Sequence, residues 1–249
     1  MTPWPDIHAK KVELDRLLAR HPRACDPLGP WYDVELTYTS NAIEGNTLTR
    51  QETALVVTEG LTPKSKPVRD VDEARDHWEA LALARGHAAS DAPFDEAFVQ
   101  MLHAAVMRRT LPEEAGRYSQ LRRRIAGASV VFPNPAKLPQ LMDEFGRWLD
   151  AQGPEPEAAV EAHWRLVAIH PFSDGNGRTS RLLMNAMLFR AGYPGLVVAP
   201  EHRVDYIEAL NERHMSGDAA PYVRFMAERL AASLDDYIDT ARDVREDSA

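Results

Sequence analysis

A chain of 249 residues, 44% of them hydrophobic, can bury a large core, and 38 acidic against 29 basic residues give a formal charge of −9 that opposes general binding to nucleic-acid backbones or anionic membranes. The single cysteine, Cys25, excludes an internal disulfide and a thiolate-rich zinc site. No apolar run approaches the roughly 20 residues needed to span a bilayer, and the N-terminus lacks a basic stretch followed by an apolar one, so the expectation is a cytoplasmic protein with no membrane and no nucleic-acid partner.

In chain order, Tyr38-Thr-Ser-Asn-Ala-Ile-Glu-Gly45 reads as the end of a helix, with Ser40 and Glu44 an i,i+4 pair and Gly45 at the cap. Thr49 and Glu52 then form a capping box for the next helix. Helical spacing continues through Val71, Ala74, Trp78 and Leu81, through Phe98, Met101, Leu102 and Ala105, and through Leu141, Met142, Phe145, Trp148 and Leu149. Proline-rich turns separate these runs, and none is long enough to tether independent domains. Between them, Leu121-Arg-Arg-Arg-Ile125 and Ser129-Val-Val-Phe132 flank Ala126-Gly-Ala128 and read as a β-hairpin. The fold class is mainly α.

Glu157 to Ile169 is a helical run with His163 and His170 on one face, stopped by Pro171. His163 suits a hydrogen-bonded core position. Phe172-Ser-Asp-Gly-Asn-Gly177 is a glycine turn, and Arg178 to Arg190 is a second helix closed by Gly192. The turn's amides and the helix dipole suit a phosphate. The dipole contributes only about 0.3 to 2 kcal/mol, so a polyphosphate needs more charge, which Arg178 and Arg181 supply at i,i+3. Two arginines at a helix start oppose the macrodipole, which points to a bound anion. Asp174 suits Mg²⁺, which takes one or two carboxylates together with phosphates and water. The residues alone do not separate nucleotides from other phosphates.

The string His170-Pro-Phe-Ser-Asp-Gly-Asn-Gly-Arg178, continued to Arg181, resembles the signature of the Fic family, HPFx[DE]GNGRxxR, at every defined position. The resemblance extends from about Phe94 to Leu230. It implies a Fic-type helical bundle with a short β-hairpin flap over the active site, divided into an N-terminal helical region (1–93), a catalytic core (94–232) and a C-terminal helix end with a polar tail (233–249). It also implies a protein adenylyltransferase. His170 would be the general base, Asp174 the Mg²⁺ ligand, and Gly175, Asn176, Gly177, Arg178 and Arg181 the groups holding ATP phosphates. Tyr206 and Asn211 would lie on the adenine side. Ile125, Val130 and Val131 of the hairpin would dock an extended target segment, and a homodimer accords with family habit. Gly177, which phosphorylating members replace with lysine, favours AMP transfer. Ser40-Asn-Ala-Ile-Glu44-Gly45 resembles the family's inhibitory motif [ST]xxxE[GN], implying that Glu44 pairs with Arg181 and restrains the enzyme in cis. The alternatives are removal of AMP from a modified target, another nucleotide donor, or a non-catalytic binding module.

Overall fold

The apolar spacing along the chain becomes ten α-helices among the described residues of the computed structural model, which are 2–121 and 132–246. In order they are α1 (Trp4–Leu18), α2 (Leu28–Ile43), α3 (Arg50–Thr58), α4 (Val68–Ala88), α5 (Glu96–Val106), α6 (Leu138–Asp150), α7 (Pro156–Ile169), α8 (Asn176–Arg190), α9 (Arg203–Ser216) and α10 (Ala220–Glu246). The β-hairpin expected around Ile125, Val130 and Val131 lies outside the described residues, and the described ones contain no strand.

α8 is the axis of the bundle. Nearly every residue in it is buried, including the polar Thr179, Ser180 and Asn185, because α4, α5 and α7 surround it. A helix covered on all sides cannot be amphipathic, and its polar groups must find partners inside. Asn185 does so by gripping the backbone of Leu196, accepting from its N–H at 2.7 Å and donating to its carbonyl at 3.3 Å.

One buried cluster runs from Ile7, Leu14 and Leu36 in the first two helices to Phe98, Leu166, Leu183 and Leu234. The N-terminal helices therefore share the core of the rest of the chain. α1 packs on α10, and Tyr32 on α2 donates to Asp236 at 2.8 Å. The division expected at 232/233 falls inside α10, which continues without a break to Glu246. A smaller cluster of Leu48, Val56, Val71 and Ala74 seats α3 on α4. The Thr49–Glu52 capping box is formed, with Thr49 Oγ1 accepting from Glu52 N at 3.2 Å and Thr49 N donating to Glu52 Oε2 at 2.8 Å. It starts α3 directly after the α2 terminus, and so fixes where that terminus points. Among the described residues no helix is long and apolar enough to cross a membrane.

Candidate active site

α7 ends at Ile169, and His170 takes the left-handed conformation, φ 51° and ψ 56°, with its N–H still bonded to Leu166 O at 2.9 Å. A β-carbon makes that conformation costly, of order 1–3 kcal/mol, so the surroundings must impose it. Pro171 cannot extend the helix, and Phe172, fully buried, anchors the following turn. The imidazole is thereby turned off the helix axis, onto the wall of a cavity of about 380 Å³, with Phe132 stacked on it at 4.0 Å.

The loop is held by side chains bonded to its own backbone. Asn176 donates to Phe172 O at 2.8 Å and accepts from Phe172 N at 3.0 Å, so both ends of its amide are committed to the turn. The side chain thus shapes the turn, while Asn176 itself still lines the cavity. Replacing Asn176 with alanine would strand two backbone groups of a fully buried residue, and the expected loss is about 1–3 kcal/mol in a chemical denaturation curve. His103 on α5 is a second prop, and sequence reading missed it because a lone buried histidine carries no local signal. Its Nδ1 accepts from Gly116 N at 2.9 Å, leaving Nε2 to donate to Asp174 O at 3.0 Å, while its ring stacks on Phe172 at 3.6 Å.

The first intrahelical bond of α8 joins Thr179 N to Gly175 O. The amides of Asn176, Gly177 and Arg178 are not used in it, and the first two belong to residues that line the cavity, where with the helix dipole they are suited to an anion. Gly175 caps the helix at φ 71°, a conformation that favours glycine. A carbon on Gly177 would come within 2.1 Å of Glu44 Oε1, so Gly177 is where the carboxylate of Glu44 rests.

The two arginines are placed differently from the expectation of a shared phosphate clamp. Arg178 is 1% exposed and lies outside the cavity lining, with Nη1 3.5 Å from Glu73 Oε1 and Nη2 3.6 Å from Asp174 Oδ1. Arg181 is 5% exposed and is held by the end of α2: Nε donates to Ser40 Oγ at 3.0 Å, and Nη2 donates to Ser40 O and to Glu44 Oε1, both at 2.8 Å. The anion that the sequence demanded near these arginines is supplied by the chain's own carboxylates. Gly45 takes φ 96° after the Glu44 cap, and Arg203 donates to Ile43 O at 2.7 Å, so the α2 terminus is gripped from two sides.

Tyr206, expected beside adenine, is instead 1% exposed and stands behind the cavity wall. Tyr222 donates to Val160 O at 3.0 Å and so accepts from His163 Nδ1 at 2.7 Å; His163 Nε2 then accepts from the Tyr206 hydroxyl at 2.8 Å. The same hydroxyl lies near enough to Arg181 to feel its charge. Tyr206 thus lies beside the guanidinium, and His163 holds a core position. Asn211 does line the cavity, whose far end is apolar with Trp164, Val167 and Leu210.

Burial pushes the pKa of His77 and His163 down to about 3 and that of His103 to about 4. An unfolded histidine titrates near 6.5, so below that value the unfolded chain takes up protons that the folded chain refuses. Stability should be level above about pH 6.5 and fall as pH drops toward about 4, by up to about 1.4 kcal/mol per pH unit for each histidine. Melting temperature followed from about pH 7.5 to 5 checks this, and a flat profile would contradict it.

Asp174 presents a 40% exposed carboxylate on the cavity edge, a donor set that fits Mg²⁺ shared with phosphates. The one three-residue metal-capable grouping among the described residues, His8, Glu155 and Glu157, lies at the opposite end of α7 and has no part in this site.

Residues 93–188 match the Fic/DOC family. "Protein adenylyltransferase Fic" of Nematostella vectensis is 36% identical over 208 residues, covering 81% of this chain and 48% of that protein. The chain spans less than half the length of the curated relatives it matches. A Fic domain containing signaling protein from Bacteroides thetaiotaomicron superposes with a TM-score of 0.84 at 26% identity, covering 95% of this chain and 96% of that one. Fic-1 (residues 134–508) from C. elegans superposes at 0.85 and 27% identity, covering 96% and 72%.

Proposed function

The chain belongs to the Fic/DOC family, and on that premise we propose that it transfers AMP from ATP to a hydroxyl of a protein target, with His170 as general base and Glu44 as an internal restraint. The observation that carries the reading is that His170, Asp174 and the first-turn amides of α8 open on one cavity.

In this reading the nucleobase lies at the apolar end near Trp164 and Leu210, and the phosphates lie over the α8 amides. The target hydroxyl passes its proton to His170 while its oxygen bonds to the α-phosphorus. The bond to the bridging oxygen breaks, and pyrophosphate leaves. A histidine is suited to this near neutrality, and general-base catalysis contributes about 10² to 10⁴ in rate. Mg²⁺ held by Asp174 would neutralise phosphate charge. The backbone amides contribute fixed positive dipoles that need no reorganisation. Glu44 occupies the guanidinium of Arg181 and lies over Gly177, so the distal phosphate of ATP meets a carboxylate where it needs a cation. Incubation of Glu44→Gly protein with ATP labelled on the α-phosphate should give labelled protein, and label on the γ-phosphate should give none. The opposite result would assign phosphoryl transfer instead.

A second reading, removal of AMP from a modified target, is favoured by one observation: the Glu44 carboxylate is itself part of the cavity wall, 41% exposed, where it could orient a water. Release of AMP from modified target by the parent protein, with Mg²⁺ and without ATP, separates the two directions.

A further inference from the structure

We propose that Arg69 is a positioning residue that guards the metal-binding carboxylate, a second restraint distinct from Glu44. The inference rests on the functional reading above only in taking Asp174 as the metal ligand.

Arg69 stands on the first turn of α4, remote in sequence from the motif, with its side chain 64% exposed. Its Nη2 donates to Asp174 Oδ2 at 3.2 Å and its Nε to Glu73 Oε1 at 2.9 Å. Asp174 Oδ1 accepts from Gly175 N at 2.6 Å, so both oxygens of the carboxylate have partners. Glu73, 6% exposed, also faces Arg178 Nη1 at 3.5 Å, and Arg178 Nη2 returns to Asp174 at 3.6 Å. Two acids and two arginines alternate in a closed ring.

Within that ring Arg178 is buried and cannot leave, whereas Arg69 is exposed and can. A cation approaching Asp174 meets the Arg69 guanidinium first, and two positive groups cannot share one carboxylate oxygen without repulsion. Metal arrival therefore displaces Arg69 toward solvent. Glu73 passes the change on. Its Oε2 accepts from Asn46 Nδ2 at 3.0 Å, and Asn46 lies two residues beyond Glu44. The segment that holds Arg181 and the residue that guards Asp174 are thus fastened to the same glutamate.

The test uses the full chain carrying Glu44→Gly, and measures calorimetrically how much Mg²⁺ strengthens binding of a non-hydrolysable ATP analogue, relative to the same titration in EDTA. With Arg69→Ala added, that enhancement should rise about two- to fivefold, the size of a partly exposed ion pair. Arg69→Lys, which keeps a cation within reach of Asp174, should stay near the Glu44→Gly value. An enhancement in Arg69→Ala equal to or below that of Glu44→Gly alone would overturn the proposal. So would equal rises in the alanine and lysine variants. No transfer is needed for this readout, so a protein that gains Mg²⁺ enhancement without labelling any target would defeat the AMP-transfer reading and leave the guard in place.

Discussion

Glu44→Gly should raise incorporation of AMP into protein by on the order of 10²-fold or more, approaching the roughly 10³ to 10⁵ that a correctly placed arginine contributes on transferring phosphates. The parent structure commits Arg181 three times, to Ser40 Oγ, Ser40 O and Glu44 Oε1. Only the contact with Glu44 carries negative charge, so its removal frees the guanidinium for a phosphate while Ser40 keeps it aimed. Gly177, over which the carboxylate sits, becomes open to ligand oxygens at the same time. The variant should also be less stable by about 1–3 kcal/mol in the absence of nucleotide, because a buried charged donor loses its acceptor. ATP should restore part of that loss, since a ligand that binds only the folded state stabilises it. Higher activity together with a lower melting temperature is the combined signature. A variant more active and equally stable would mean that the Glu44–Arg181 contact, whose acid is 41% exposed, contributes little to folding.

His170→Ala in the Glu44→Gly background should lower incorporation by about 10² to 10⁴ while leaving nucleotide affinity within a few-fold. The separation is expected because the imidazole lies on the cavity wall, whereas the phosphates in the proposed reading lie over backbone amides of α8 that an alanine at 170 does not touch. Alanine should also relieve less strain than glycine would, since His170 sits at φ 51°. A matching collapse of nucleotide affinity would place His170 in binding rather than in proton transfer.

The reach of the sequence follows the distance over which each contact is local. His170 through Arg181 is contiguous, and a helix, a glycine turn and a second helix place its members by short-range rules alone. The α2 terminus, Gly45 and the Thr49–Glu52 box were legible for the same reason. That Glu44 meets Arg181 across 137 positions was accessible only through the resemblance to a motif, because no spacing rule links them. Tyr206 was misplaced because an aromatic at helical spacing does not declare which face it shows; burial against His163 and Arg181 turned it inward. Arg178 and Asn176 were read as ligand contacts from their place in the motif, and the contacts they make within the fold, with Glu73 and with the Phe172 backbone, were not part of that reading. Arg69 and His103 gave no sign at all. One reads as a solvated surface charge and the other as a core histidine until the chain brings both to Asp174.

The measurement that bears most directly on the whole account is incorporation of α-labelled ATP into protein, with Mg²⁺, by the parent chain, Glu44→Gly, His170→Ala and the double variant, side by side. The account predicts faint labelling of the parent, strong labelling of Glu44→Gly, and labelling of the double variant no stronger than the parent's. Equal labelling of the parent and Glu44→Gly, or labelling of the double variant as strong as that of Glu44→Gly, would contradict it.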